Sequence, residues 1–435
     1  MFLKRVLCAG VCVCLALPAW ASIAPDYQST PLSIGDKGIQ KVDPSLRGFI
    51  EQVWLESPAV QSAQAALDAA RENATGADRP LHNPVLEFEA ERTDINTTAI
   101  GFSQTLDWSD KQGAFVSVAQ QEVIAAQANL LQVRQRVAVE TLQALVDYFT
   151  ATEMRSLALR RSQLMKGFAD TVKQRHAAGD VETLDVTFAQ VAYSEALMAQ
   201  ATSEGELSAA EAGLQAASGA VMTQWPRLPA ELAPPPESAE LSLLDVLPHL
   251  AVLRSQVDAA KARIKVAERE GRVDPTFGVR VGREDDETLL GLSVEIPLFV
   301  RNNYSAAIRA ASYESIEEEQ NYRHAYQKAK AQLSGALGRF ENSSRAWRAW
   351  VSAGQQAHRD QIILLEKMWQ AGELTATDFL IQAKQNIDTL MTATSLKGEV
   401  WQAAIAWLEA SGQVESWLGI ESTTHRQSTN FGVKQ

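Results

Sequence analysis

Two stretches in which apolar and polar residues alternate constrain the fold of this chain more than any other feature. The clearer one is DPTFGVRVGREDDETLLGLSVEIPLFVRNN, residues 274–303, in which an acidic loop at 284–287 separates two alternating runs. Successive side chains of a strand point to opposite sides of a sheet, so alternation predicts a strand with one apolar face. In the first run the apolar residues are Phe277, Val279 and Val281. The segment therefore predicts a β-hairpin.

The same pattern occurs upstream, in residues 83–108. In its first run, Leu86, Phe88 and Ala90 alternate with Glu87, Glu89 and Glu91. Each hairpin opens on a short polar residue and a proline, Asn83-Pro84 and Asp274-Pro275. Equivalent features lie about 190 residues apart throughout the chain, which indicates an internal duplication. We interpret the three glutamates as a solvated polar face rather than a binding site.

The N terminus has the features of a secretory signal peptide over residues 1–21. Lys4 and Arg5 precede an apolar run, and Ala19-Trp20-Ala21 forms a small-x-small cleavage site. All three cysteines, Cys8, Cys12 and Cys14, lie within this segment, so neither a disulfide nor a thiolate metal site is expected after export. The formal net charge of −13 argues against nucleic acid as a partner. No other apolar run approaches the roughly 20 residues of a membrane helix.

Proline positions divide the rest of the chain. No proline occurs between Pro84 and Pro226, or after Pro297, and both stretches are rich in helix-forming residues. The chain is predicted to begin, after the signal peptide, with an N-terminal arm (22–56) that is extended over 22–43. A first repeat (57–224) follows, with a helix, a hairpin at 84–108 and a long helical hairpin, and a proline-rich joint (225–241) connects it to the second repeat. The second repeat (242–411) has the same order of elements, with its hairpin at 275–297, and a tail (412–435) ends the chain.

Each long helical hairpin is predicted to reverse at a glycine. The first turn reads AGDVETLDVTFAQ from Ala178, and the second reads AGELTATDFLIQA from Ala371. Glycine readily adopts the left-handed conformation that ends many helices, so the tips are expected near 179 and 372.

Four strands with an apolar outer face cannot close a membrane barrel. Each unsatisfied backbone group in a bilayer costs several kcal/mol, and bacterial membrane barrels begin at about eight strands. Several copies of the chain must therefore contribute strands to one wall, and three copies would supply about twelve.

The set of motifs resembles the TolC-like outer-membrane efflux proteins. The motifs are Asn83-Pro84, GFSQTLDWSDK from Gly101, EIPLFVRNN from Glu295 and the Ala-Gly tips followed by an aspartate. The sequence that begins at Glu295 is similar to that of the cobalt-zinc-cadmium resistance branch of this family. The resemblance implies a mainly α homotrimer with a twelve-stranded β-barrel in the outer membrane, continued by an α-helical barrel in the periplasm. It further implies a passive exit duct that docks on a periplasmic adaptor and an inner-membrane pump, commonly of the resistance-nodulation-division type.

The resemblance also implies functional positions at the periplasmic end. Carboxylates that narrow the entrance correspond to Asp378 and its duplicate Asp185, and an aromatic gate position corresponds to Trp369. The second carboxylate of the pattern is Ile381 here and a latch arginine is Leu374, so Glu373 is a candidate for the missing charge. Adaptor docking is expected at the tips: Ala178, Gly179, Asp180, Ala371 and Gly372. From the residues alone, Asp185 and Asp378 are equally well explained as carboxylates favoured at helix N-termini.

Other functions have less support in the sequence. The six histidines are scattered, with no paired-ligand spacing, so no metal site or other cofactor is expected. Nucleotide-binding and nucleophile-elbow motifs are absent, so an enzyme is not expected. The alternative that stays open is a soluble periplasmic coiled-coil adaptor or scaffold, which would share the long helices but bury its strands.

Overall fold

A computed structural model describes residues 32–34, 43–92, 96–222 and 224–420. The predicted signal peptide and the last part of the predicted tail lie outside the described residues. The chain divides into two compact units. The described residues of one are Ala151–Ser208 and Ala349–Ser395, and those of the other fall within Pro31–Thr150, Ala209–Arg348 and Leu396–Gln435. We call them the tip unit and the sheet unit.

The chain is mainly helical. The helices are α1 (Pro44–Glu56), α2 (Pro58–Ala77), α3 (Lys111–Ala178), α4 (Thr183–Ser218), α5 (Pro248–Glu270), α6 (Ser305–Ala349), α7 (Gln355–Gln370), α8 (Ala376–Ser411) and α9 (Val414–Trp417). The strands are β1 (Ser33–Ile34), β2 (Val85–Arg92), β3 (Asn96–Thr105), β4 (Glu231–Leu232), β5 (Thr276–Glu284) and β6 (Glu287–Glu295). A 3₁₀ helix spans Leu241–Val246. The order of helix, β-hairpin and long helical hairpin occurs twice along the chain.

Helix α1 lies in the segment assigned to the N-terminal arm, where no helix was predicted. Its start is nevertheless encoded locally, because Asp43 accepts a hydrogen bond from the Ser45 backbone N–H at 2.8 Å and Pro44 occupies the first helical position. Leu46 and Ile50 on one side of α1 are fully buried. Further upstream, β1 pairs in parallel with β4, so the arm contacts the proline-rich joint.

The long helix of the second repeat is interrupted, whereas that of the first is continuous. Helix α3 runs for 68 residues, but a π-helical turn at Trp350–Gly354 separates α6 from α7. The Trp350 ring packs so closely on Gly354 that a Cβ there would lie 2.4 Å from the ring. This contact explains the glycine at this turn. The interruption was not predicted, because it depends on how the Trp350 ring packs against its own helix.

The four longer strands form one antiparallel sheet in the order β2–β3–β5–β6, which joins the hairpins of the two repeats. Strand β3 pairs with β5 over nine registered positions from Thr97 to Thr105. Gly282 makes this approach possible, because a Cβ there would lie 2.3 Å from the Thr98 carbonyl oxygen. Among the described strands, β2 and β6 each have one unpaired edge.

A buried ion pair joins the two repeats where the sheet meets the helices. Asp274, just before β5, contacts Lys111 at the start of α3 with 2.7 Å between carboxylate oxygen and ammonium nitrogen. Their side chains are 6% and 17% exposed. The Ser109 hydroxyl donates a second hydrogen bond to Asp274 at 2.6 Å. Burial opposes ionisation of Asp274, but the hydrogen bonds from Lys111 and Ser109 outweigh it and hold its pKa below the ordinary value.

Candidate functional site: an exposed apolar sheet face and paired helical tips

Strand register places the apolar residues of both hairpins on one face of the sheet. Two rows cross all four strands: Leu86, Phe102, Val279 and Leu292 form one, and Phe88, Ile100, Val281 and Leu290 form the other. These side chains are exposed, with Leu292 at 81% and Phe88 at 77%. The structure thus confirms the alternation predicted for both hairpins and shows that their apolar faces coincide. An exposed patch of this kind marks an interaction with lipid or protein.

The opposite face of the sheet is polar and carries the three glutamates of β2. Glu87, Gly101, Arg280 and Gly291 occupy one row across the sheet. Arg280 donates to Glu89 at 2.6 Å, which links the hairpin of the second repeat to that of the first. The apolar face of the sheet therefore suits an apolar environment, and the opposite face suits water.

Both helical hairpins turn by the same backbone device. Gly179 and Gly372 have positive φ, 85° and 75°. At the first tip the Asp180 N–H donates to the Arg175 carbonyl, and at the second the Glu373 N–H donates to the Met368 carbonyl, each at 2.9 Å. These are the six-to-one hydrogen bonds of a Schellman motif, which needs a left-handed residue at the position that the glycines hold. The predicted tips thus lie where the sequence placed them.

Each of the two predicted gate carboxylates lies in the first turn of a helix and takes part in the hydrogen bonding at its N-terminus. Asp378 lies in the first turn of α8, where its carboxylate accepts from the Thr375 hydroxyl at 2.7 Å and the same hydroxyl accepts from the Asp378 N–H at 3.1 Å. Asp185 accepts from the Glu182 N–H at 3.3 Å in the first turn of α4. Both contacts follow the capping-box pattern. Capping accounts for the position of both carboxylates and leaves a gate role to be tested.

Trp369 lies inside an aromatic cluster of the tip unit, which we define as Phe168, Trp369 and Phe379. Its ring stacks on Phe379 with 4.5 Å between centroids, and Phe168 lies 5.6 Å from Phe379 and 5.8 Å from Trp369. The Arg175 guanidinium sits over the indole at 4.5 Å. Trp369 is only 4% exposed, so its ring faces the core rather than an open passage. Glu373, by contrast, is exposed at the tip.

Two ion pairs connect the repeats farther from the tips. Glu195 of α4 binds Lys384 of α8 at 2.7 Å, and Arg161 of α3 binds Asp388 of α8 at 3.0 Å. The hydrogen bond from Lys384, together with its charge, holds the pKa of the Glu195 carboxyl below its ordinary value. Together with the aromatic cluster, these contacts tie one helical hairpin to the other.

Sequence reasoning missed Phe168, Phe379 and Arg175. The signal that could have indicated the buried phenylalanines is the helical spacing of apolar residues. On α3, for example, Met165, Phe168 and Val172 lie on one side and are buried. Which apolar rows meet cannot be read from spacing alone.

In the described part of the chain, no group of three or more histidine, cysteine, aspartate or glutamate side chains is arranged to hold a metal ion.

None of the described helices has both the length and the apolar composition of a membrane-crossing helix.

Comparison with known proteins finds a similarity to one protein family. Residues 49–220 match the family described as outer membrane efflux protein. This match covers less than half of the chain. A curated relative is the cobalt-zinc-cadmium resistance protein CzcC of Cupriavidus metallidurans, 26% identical over 253 residues. That match covers 54% of this chain and 59% of CzcC, so the chain aligns with less than two thirds of that relative.

Solved structures of outer-membrane channels share the fold of this chain. The outer-membrane channel OprN matches with a TM-score of 0.73 at 16% identity, covering 85% of this chain and 90% of OprN. The CmeC outer membrane channel of Campylobacter jejuni matches with a TM-score of 0.74 at 11% identity, covering 89% of each chain. The predicted fold, mainly α with a small β part, is confirmed, and it is the fold of solved outer-membrane channels.

Proposed function

We propose that this chain is the outer-membrane channel of a tripartite efflux system and that it acts as a passive homotrimeric exit duct. The observation that carries the proposal is the four-stranded sheet, whose two apolar rows are exposed and whose two outer strands have open edges. In lipid, open edges are removed only by closing the sheet. Sister copies that each add four strands would close a wall of about twelve.

The proposed partners follow from the similarity to the outer membrane efflux protein family. The tips at Gly179 and Gly372 would dock on a periplasmic adaptor, and an inner-membrane pump, of the resistance-nodulation-division type, would supply the energy. Heavy-metal cations are the candidate substrates, because CzcC is by name a cobalt-zinc-cadmium resistance protein. The acidic polar face of the sheet suits cations better than anions. The alternative of a soluble adaptor has less support, because an adaptor would bury its apolar strands.

The wild-type chain is expected to fractionate with outer membranes and to migrate as a trimer. Phe102→Arg is expected to abolish both properties, because a cation on the lipid side of a barrel costs about 2–4 kcal/mol near the bilayer midplane. Membrane fractionation followed by unheated gel electrophoresis measures the result.

The adjacent Ser103→Arg variant is the matched control for this experiment, because strand alternation directs residue 103 to the polar face. We expect it to remain trimeric. A wild-type protein recovered as a free periplasmic monomer would contradict the proposed function.

The role of Asp378 can be separated into capping and charge. Asp378→Asn keeps an oxygen that can accept from Thr375 but removes the charge, whereas Asp378→Ala removes both and should cost about 0.3–1 kcal/mol of helix stability. If three Asp378 side chains attract cations at the entrance, both variants will lose cation selectivity in single-channel recordings. Retained selectivity in Asp378→Asn would leave only the capping role.

A further inference from the structure

The sheet sorts its charged residues by face at the end that carries the hairpin turns. Strands β2, β3, β5 and β6 contain three arginines and no lysine, and two of the arginines, Arg92 and Arg283, lie at this end. Both continue the alternation of Phe88 and Val281, so they lie on the apolar face. The strand residues with acidic side chains at the same end share one row of the opposite face: Glu91, Glu284 and Glu287.

The two arginines on the apolar face are not neutralised by the described part of the chain. Arg280, on the opposite face, forms an ion pair with Glu89, whereas neither Arg92 nor Arg283 forms one with any described residue. The turn between β5 and β6 contains two further acids. The Asp285 carboxylate accepts a hydrogen bond from the Asn96 N–H at 3.0 Å, and Asp286 is exposed. The apolar face therefore ends in positive charge that an external anion can neutralise.

A recess of about 470 Å³ lies beside Arg283. Arg283 pairs in register with Thr98, which also lines the recess, so a guanidinium and a hydroxyl can donate hydrogen bonds from the same row. Arginine can bind a phosphate group through two parallel N–H donors, and such charge-assisted hydrogen bonds are among the stronger ones in proteins. The apolar side chains of the lining are Phe88, Ala90, Ile100 and Val281.

Glu89 also lines the recess, but its carboxylate is engaged elsewhere. Strand alternation directs this side chain to the opposite face, where it accepts a hydrogen bond from Arg280 at 2.6 Å. Ala90 is short and leaves the space beside Arg283 open. The recess thus joins donors for an anion to an apolar wall, and its volume is within the usual range for small-ligand sites.

The recess lies just beyond the exposed apolar part of the sheet. From Leu290 to Ile296 every second residue is apolar and exposed, which spans about 20 Å along the chain and approaches the apolar band of about 25 Å of a membrane barrel. Arg283 pairs with Thr288, on the turn side of Leu290. An arginine costs little at the edge of a bilayer, whereas it is costly at the midplane. Arg283 therefore suits the level of the lipid headgroups.

We propose that Arg283, together with Arg92 and Thr98, binds a phosphate group of lipopolysaccharide in the outer leaflet of the outer membrane, with the acyl chains along the apolar rows of the sheet. This inference rests on the proposed function, because in that channel the helices lie in the periplasm and the hairpin turns face the cell exterior. It specifies the lipid partner of the sheet. A free phosphate ion would use the donors but not the apolar rows beside them.

Native mass spectrometry of the purified, delipidated full-length protein in detergent tests the proposal. Diphosphorylated lipid A is the probe, and the same lipid after enzymatic dephosphorylation is the control ligand. Arg283→Gln removes the proposed phosphate contact, and Ala90→Leu narrows the recess without changing a charge. Arg280→Gln is the matched control variant, because it removes an arginine of the same strand from the opposite face.

We expect Arg283→Gln to bind diphosphorylated lipid A at least about tenfold more weakly than the wild type, since a hydrogen-bonded charge pair is lost. Arg92→Gln and Ala90→Leu should weaken the same binding, and Arg280→Gln should bind as the wild type does. The wild type should bind the dephosphorylated lipid no better than Arg283→Gln binds the phosphorylated one. An excess of inorganic phosphate should not displace lipid A.

Three results would overturn the proposal. The first is an unchanged affinity in Arg283→Gln or Ala90→Leu, and the second is equal affinity of the wild type for both forms of the lipid. The third is displacement of lipid A by inorganic phosphate, which would assign the site to a free anion. A trimer in the same mass spectra would leave the proposed channel function intact in each case. Absence of any trimer would overturn both the lipid site and the proposed function.

Discussion

Phe379→Ala is expected to destabilise the tip unit by about 3–5 kcal/mol, the usual cost of truncating a buried aromatic residue. Phe379 is 2% exposed and stacks on both other rings of the aromatic cluster. Its loss would leave a cavity between the two hairpins of one chain, because neighbours in a packed core relax only partly. Hydrogen exchange of backbone amides in α3 and α8 near the tips measures the local effect, and protection should fall by about 100-fold or more.

Phe379→Leu is the control for this prediction, because leucine restores most of the apolar volume. Its effect should be clearly smaller. The sheet unit provides an internal reference, because amides of β3 and β5 should exchange at wild-type rates in both variants. Equal protection of the tip amides in Phe379→Ala and the wild type would show that the aromatic cluster does not hold the hairpins together.

Lys111→Met is expected to cost about 3–5 kcal/mol of stability in the sheet unit, because it leaves the buried carboxylate of Asp274 without its cation. Asp274 would keep only the hydrogen bonds from Ser109. Thermal and denaturant unfolding of the detergent-solubilised protein, followed by circular dichroism, measures the loss. The pair joins the start of α3 to the hairpin of the second repeat, so its loss should also weaken the attachment of one repeat to the other.

The double variant Lys111→Met with Asp274→Asn is the control, because it removes both charges at once. Its cost should be smaller than that of Lys111→Met alone, since no uncompensated charge stays buried. Acid should act in the same direction as the single variant. The pKa of Asp274 is lowered in the folded chain, so its contribution to stability is present above the ordinary aspartate pKa and is lost as pH falls through the lowered value. Equal stability of the single and double variants would contradict this account.

The parts of the fold that were predictable depend on residues close together in sequence. Strand alternation, the tip glycines and the proline-free helices are local properties, and each acts within a few residues. The start of α1 was encoded in the same way by Asp43 and Pro44, but the polar sequence before it obscured this signal. The π turn at Trp350–Gly354 was hidden because it depends on how one indole ring packs against its own helix.

The candidate site was only partly predictable. The sequence indicated the tips and the capping aspartates, and family resemblance suggested a gate role for Trp369. The structure shows that Trp369 is buried against Phe168 and Phe379, which no spacing rule pairs with it. The rule that apolar residues lie inside could not choose among the apolar rows of α3, α7 and α8, because all of them have helical periodicity.

The sequence by itself determined that the chain is duplicated, that each half carries a strand pair with one apolar face, and that each long helical hairpin reverses at a glycine. Only the tertiary structure decided that both strand pairs join in one sheet with their apolar faces on the same side, and that Asp274 pairs with Lys111 across the repeats. The physical reason is distance along the chain. Conformational preferences act on neighbouring residues, whereas register and buried charge pairing depend on which distant segments the fold brings together.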